Sequence, residues 1–246
     1  MSSDYKPSVS VFYPCYNDWG TMGSMVLLTL KTVEKLGVDF DFTIIDDGSE
    51  KQTLALLDDI EATFPNVAVK RHETNRGYGG ALRSGFQSGT KEWIFYTDGD
   101  AQYDVRELAL LVEKAAPDVD VVQGYKIQRH DPLHRIVIGK MYHKFVRTLF
   151  GLKIRDTDCD FRLIRRTVFD KFELKHNSGV ICAEMMMRIT RAGCRIVEVP
   201  VHHYQRAHGK SQFFNFPRLF RVAMNLGSLW YHEVLMERFR KSSNKK

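Results

Sequence analysis

Four short apolar runs constrain the fold of this chain most tightly, because each ends in a polar turn and is followed by an amphipathic stretch. They are Val9 to Tyr13, Phe42 to Ile45, Val67 to Val69 and Trp93 to Tyr96. Uncharged, β-branched and aromatic runs of this length read as buried strands. Between them, Met25 to Leu36 carries apolar residues at 26, 27, 30, 33 and 36 before Gly37. Leu54, Leu57, Ile60 and Phe64 mark a second helix ended by Pro65, and Ala81 to Gln87 a third. Val105 to Ala116 is apolar at 105, 108, 111, 112 and 115, a fourth helix. Repeated strand–helix alternation with near-continuous apolar strands specifies a mostly parallel central sheet with helices on both faces.

Right-handed crossovers bring the carboxyl ends of such strands to one edge. Three polar loops are therefore expected at a single crevice: Pro14-Cys15-Tyr16-Asn17-Asp18, Asp46-Asp47-Gly48-Ser49 and Asp98-Gly99-Asp100-Ala101-Gln102. Pro14 has no N–H for a sheet ladder, so the first strand is expected to stop before it. Asp98, Asp100 and the amide of Gln102 are hard oxygen donors, suited to Mg²⁺ or Mn²⁺ shared with a phosphate-bearing ligand. An Asp-Gly turn leading into a helix is the plainer reading of the same six residues. The glycines at 77, 79 and 80 lack dinucleotide-fingerprint spacing and fit a tight turn with close helix packing equally well.

Past Val119 to Val122, a fifth strand, the alternation breaks. Arg135 to Arg155 interleaves apolar residues at 137, 138, 141, 145, 149 and 152 with bases at 135, 140, 144, 147, 153 and 155. Such a helix either packs on the domain with a solvated basic face or lies in a membrane interface. Asp156 to Arg162 is an acidic loop entering a strand, followed by a short helix from Thr167 and another around Ala183 to Arg191. Arg195 to Pro200 is a further strand, and Phe213 to Phe239 is aromatic with helical period, broken by Pro217. His202, His203 and His208 lack the helical pairing of a metal site. The four cysteines, at 15, 159, 182 and 194, show no metal-ligand spacing and read as free thiols in a reducing compartment. The net charge of +6 favours anionic partners without choosing among them. There is no apolar leader core, and no uncharged run approaches the ~20 residues of a membrane span.

Together these motifs resemble the family 2 glycosyltransferases, and within them the dolichyl- and polyprenyl-phosphate glycosyltransferases, from about Val9 to Ser211. The matching residues are Pro14, Tyr16, Asn17 and Asp18; Asp46 to Ser49; Asn75, Gly77 and Ala81; Asp98, Asp100 and Gln102; Asp156 to Arg162; and Glu198-Val199-Pro200 with Arg206, Gly209 and Ser211. The resemblance implies the GT-A nucleotide-diphospho-sugar transferase fold, with a catalytic domain over 1–212 and a helical segment with a basic tail over 213–246. Its nucleotide half covers about 8–104 and its acceptor half about 105–212. It implies inverting, metal-dependent transfer from a GDP- or UDP-hexose to a lipid phosphate at the cytoplasmic membrane face, with peripheral attachment and no nucleic-acid partner.

By the same resemblance Pro14, Tyr16, Asn17, Asp18, Ile45, Asp47, Asp98, Arg206, Lys210 and Ser211 bind the nucleotide-sugar. Asp98, Asp100 and Gln102 hold Mg²⁺ or Mn²⁺, with Asp100 and Arg135 catalytic. Lys126, Arg135 and Lys140 hold the acceptor phosphate. Glu184 is the candidate base for a hydroxyl acceptor; its alternative is a helix-surface carboxylate. Asp160 stands where the group has Gly, and Gln212 where many members have Lys. Transfer to a soluble or cell-wall glycan hydroxyl is the rival reaction, and a non-catalytic basic lipid- or nucleic-acid-binding module the rival class.

Overall fold

The computed structural model describes residues 5–129, 133–207 and 224–235, with the backbone alone at 128–129, 133–138, 140 and 142. Seven strands form one sheet in the order β3-β2-β1-β4-β6-β5-β7. They are β1 (Val9–Cys15), β2 (Phe40–Asp46), β3 (Val67–Arg71), β4 (Trp93–Thr97), β5 (Val121–Arg129), β6 (Phe161–Arg165) and β7 (Ile196–His203). The helices are α1 (Met22–Leu36), α2 (Lys51–Thr63), α3 (Tyr78–Ser88), α4 (Leu108–Lys114), α5 (Leu133–Phe150) and α6 (Val180–Arg191). Residues expected to open the fourth and the post-β6 helices, Val105–Glu107 and Arg166–Lys171, form 3₁₀ turns instead.

Side chains alternate across the sheet. Val9, Val11, Tyr13 and Cys15 of β1 enter the core shared with α1, α2 and α4. Phe12 enters the opposite core, with α3, α5 and α6. Leu226 and Leu229, in the helical stretch 224–230, are buried in that second core, and Arg188 of α6 pairs with Glu233 at 2.9 Å. This part of the C-terminal segment therefore packs on the sheet's second core.

β1 runs on through Pro14 to Cys15, against expectation. Its pairing with β4 stops at Phe12, whereas pairing with β2 continues to Cys15↔Asp46. The proline thus lies where one side of the strand has no ladder to interrupt. β6 alone is reversed, antiparallel to both β4 and β5. Its first residue, Phe161, pairs with the last of β4, Thr97. The 156–160 loop accordingly meets the edge where the other strands end.

Candidate active site

The sheet order reverses between β1 and β4, since the chain moves outward from β1 to β3 and then returns to the far side of β1. Loops from these two strands flank the crevice that such a switch point creates. Asp98 directly follows β4 and accepts a hydrogen bond from Tyr78 Oη at 2.6 Å. Asp100 Oδ1 accepts from Gln102 N at 3.0 Å, and its Oδ2 from Arg206 Nη2 at 2.7 Å. The same guanidinium lies 4.0 Å from Asp18 Oδ1, so Arg206 ties the loop after β4 to the loop after β1. Thr21 Oγ1 reinforces that tie by donating to Gly99 O at 2.6 Å. A Cβ on Gly99 would stand 2.6 Å from Met22 Cε and 3.0 Å from Pro14 O, so glycine lets the two loops approach closely without displacing either. Ala101 follows at φ +58°, a left-handed conformation costly for a non-glycine residue and concentrated at functional sites.

Burial, then the charges of Asp160 and Asp100, push the Asp98 carboxyl well above the usual carboxylate range. Burial also raises Asp100, against the pull of Arg206. Desolvation and mutual repulsion make a cation at this pair favourable. Among the described residues no three His, Cys, Asp or Glu side chains form a complete metal site. Two hard carboxylates needing a cation fit Mg²⁺ or Mn²⁺ that takes its remaining ligands from phosphate and water. Gln102, expected on the metal, directs its amide nitrogen to Tyr204 O at 3.1 Å, while Tyr204 N donates to Gln102 O at 2.8 Å. This reciprocal pair fastens the segment that carries Arg206.

Asn17 sits at φ +62°; its N donates to Ser49 Oγ at 3.0 Å and its Oδ1 accepts from Glu50 N at 2.8 Å. It joins the loops after β1 and β2. Tyr16 is exposed, and Ile45 is buried opposite Pro14. Asp47 is buried, its Oδ1 held by His72 Nδ1 at 2.7 Å and Arg76 N at 2.8 Å. Sequence reasoning passed over His72, because a histidine one residue past a strand carries no spacing signal.

In the acceptor half, Arg162 is wholly buried. It donates to Gln123 Oε1 at 2.7 Å, Asp160 Oδ1 at 2.6 Å, Thr157 O at 2.8 Å and the Tyr96 hydroxyl. Asp160, where the family has Gly, thus neutralises a buried arginine. Lys126 does not reach outward as expected of a phosphate ligand: its Nζ is bonded to Asp158 O and lies 3.6 Å from Asp156 Oδ2, with the side chain 8% exposed. Burial pushes the Asp158 carboxyl up to about 7, against the pull of Lys126. Arg135 and Lys140 lie on the backbone of α5, whereas Lys210, Ser211 and His208 fall outside the described residues.

Glu184 is not a helix-surface carboxylate. It is fully buried and accepts from Lys175 N, His176 N and Arg188 Nε at 3.0 to 3.2 Å. It clamps the 175–177 loop from below. From above, Gly79 N donates to Asn177 O at 2.9 Å and Arg83 Nη1 to His176 O at 2.7 Å. A Cβ on Gly77 or Gly79 would strike the Asn177 or His176 carbonyl at 2.6 or 2.1 Å. Close packing therefore accounts for these two glycines.

Residues 10–172 match the model of glycosyl transferase family 2. The chain belongs to this family. It is a glycosyltransferase with the GT-A fold, as the resemblance implied. It is 29% identical over 220 residues to the undecaprenyl-phosphate 4-deoxy-4-formamido-L-arabinose transferase of Enterobacter sp. (strain 638), which covers 89% of this chain and 66% of that protein. This family 2 glycosyltransferase thus spans just under two thirds of that relative. Among solved structures it resembles glucosyl-3-phosphoglycerate synthase of Mycobacterium tuberculosis with Mn²⁺, UDP and glucosyl-3-phosphoglycerate. There the TM-score is 0.68 at 16% identity, over 92% of this chain and 79% of the other. It also resembles the mannosyltransferase PcManGT of Pyrobaculum calidifontis with GDP-Man and Mn²⁺. That match has a TM-score of 0.61 at 18% identity, over 85% and 59% of the two chains. At these identities the likeness is one of fold.

Proposed function

We propose that this glycosyltransferase moves a hexose from a GDP- or UDP-sugar to a polyprenyl-type phosphate at the cytoplasmic face of a membrane, inverting the anomeric carbon. The observation that carries the reading is the crowded Asp98–Asp100 pair at the switch point, with Asp18 and Arg206 drawn onto it. Asp98 and Asp100 hold Mg²⁺ or Mn²⁺, which supplies charge neutralisation to the departing diphosphate. Arg206 presents a planar fork matched to phosphate oxygens. Pro14, Tyr16, Asp18, Ile45 and Asp47 line the nucleotide side, with Asn17 positioning them and Lys210 and Ser211 completing the donor site. Arg135 and Lys140 hold the acceptor phosphate, and Lys126 shapes the acceptor loop through Asp158.

An anionic phosphate attacks without a general base. The saturation of Glu184 by three donor groups supports this choice of acceptor, because a carboxylate so engaged is poorly placed to take a proton. A surface for the lipid is supported by α5, where Met141 and Phe145 are 68% and 55% exposed one turn apart, beside exposed Lys144 and Arg147. The relative named for undecaprenyl phosphate points the same way. A hydroxyl acceptor is the second reading. It draws on Asp158, on the loop that meets the strand-end edge, whose carboxyl is pushed up to about 7 by burial.

A donor screen decides between them. UDP- and GDP-hexoses are offered with Mn²⁺ to polyprenyl phosphate in vesicles or to soluble glycans, and products are resolved by mass. A glycosylated lipid phosphate is expected. A glycan product with no lipid product from any donor overturns the lipid-phosphate reading.

A further inference from the structure

Asp47, placed above on the nucleotide side, is joined to His72 and Ser84 in a buried chain, and these two partners have no role in the reading above. The three residues are 3%, 5% and 7% exposed. His72 Nδ1 meets Asp47 Oδ1 at 2.7 Å, and His72 Nε2 meets Ser84 Oγ at 2.8 Å. The three come from different elements: Asp47 follows β2, His72 follows β3 and Ser84 lies on α3. Backbone bonds fix two of them, Asp47 N to Cys15 O at 2.9 Å and His72 N to Asp46 O at 2.8 Å. Opposite a carboxylate, Nδ1 must carry the imidazole proton. Nε2 shares the second hydrogen bond with the Ser84 hydroxyl, which can serve as donor or acceptor.

Both side-chain hydrogen bonds to Asp47 fall on Oδ1, from His72 Nδ1 and from Arg76 N at 2.8 Å. Two donors on one oxygen fix the plane of the carboxylate and leave Oδ2 as its acceptor for a ligand.

We propose that His72, braced by Ser84, is a positioning residue for nucleotide-base recognition. It locks Asp47 as a fixed acceptor, so that the site takes bases offering an N–H at their pairing edge, as uracil and guanine do. Bases with a ring-nitrogen acceptor there, cytosine and adenine, face repulsion. A site built to accept such a bond rejects ligands lacking the donor because its own buried group is then left unpaired. The proposal rests on the reading of Asp47 as part of the donor site.

The test is calorimetry on the full chain with Mn²⁺, using UDP, GDP, CDP and inorganic pyrophosphate as ligands. His72→Leu is expected to weaken whichever of UDP or GDP binds by about 10- to 100-fold, the range for losing an outer partner of a ligand-holding group. Pyrophosphate affinity stays unchanged. His72→Asn, which keeps a donor near the Nδ1 position, is expected to restore binding to within about threefold. In turnover, His72→Leu raises the donor KM and leaves kcat alone, as loss of uniform binding does. Equal weakening of pyrophosphate, or unchanged nucleoside diphosphate binding, overturns the proposal. Should His72→Leu fail to fold, Ser84→Ala carries the test. It is expected to weaken the nucleoside diphosphate and not pyrophosphate, and unchanged affinity overturns the proposal. Wild-type protein that binds neither UDP nor GDP removes the donor reading itself. Wild-type binding with an unaffected His72→Leu removes only the role of His72.

Discussion

Asp100 meets two demands at once: it must accept the Arg206 guanidinium, and it must remain negative beside Asp98. Asp100→Asn keeps the size of the side chain and its bond to Gln102 N while deleting one charge. We expect native circular dichroism and a turnover at saturating Mn²⁺ reduced by about 100-fold or more, since losing the charge of a direct ligand costs at least as much as losing one of a metal's outer partners. Initial rates with and without added Mn²⁺ check this, and unchanged turnover removes Asp100 from the reaction. The pattern of acids was legible at this scale, because Asp-x-Asp after an apolar run places itself. The partners of those acids were not. Tyr78, His72 and Arg206 reach them across 20, 25 and 106 residues of chain, and no local spacing encodes such contacts.

The elements show why the glycine cluster is where it is. α3 begins under the carbonyls of the 175–177 loop, close enough that Gly79 has no room for a methyl group: the added carbon would lie 2.1 Å from His176 O. Gly79→Ala would favour the helix on intrinsic propensity by roughly 1 kcal/mol. Overpacking against a fixed backbone, with loss of the Gly79–Asn177 bond, is worth about 1 to 3 kcal/mol in the other direction and wins. We therefore expect a lowered thermal midpoint, measured by calorimetric scanning. An unchanged or raised midpoint would mean that the loop yields. The helical and strand periods gave these elements within a few residues. The main exceptions were β1, whose proline is tolerated because its β4 pairing has ended, β5, which continues to Arg129 against β7, and α5, which ends at Phe150 instead of Arg155 because Gly151 turns the chain left-handed at φ +67°.

For the whole molecule the balance of charge matters, since +6 is spread over a chain whose best-defined site is acidic. Among the described residues no helix is long and apolar enough to cross a membrane. The exposed Met141 and Phe145 of α5, flanked by Lys144 and Arg147, instead suit an interface. Each basic residue near an anionic surface contributes on the order of 1 kcal/mol, and salt shortens its reach. We expect co-sedimentation with vesicles containing acidic lipid at low salt and release at high salt. No co-sedimentation at low salt, even with polyprenyl phosphate present, removes the physical support for a lipid acceptor. Within the described part of the C-terminal stretch, Leu226 and Leu229 face the core and not an interface.

The sequence by itself determined the alternation, the buried strands, the edge on which the acidic loops gather and the family, because periodicity and short motifs are local properties of a chain. Tertiary structure decided what those residues do. The reversal of β6 brings Asp156–Asp160 to the edge where the other strands end. That reversal gives buried Arg162 its carboxylate, commits Lys126 to the Asp158 carbonyl and leaves it shaping a loop. Burial turned Glu184 from a candidate base into a clamp on two backbone amides. In each case the deciding quantity is the set of hydrogen-bond donors and charges within about 3 Å, and the fold assembles that set from segments far apart in the chain.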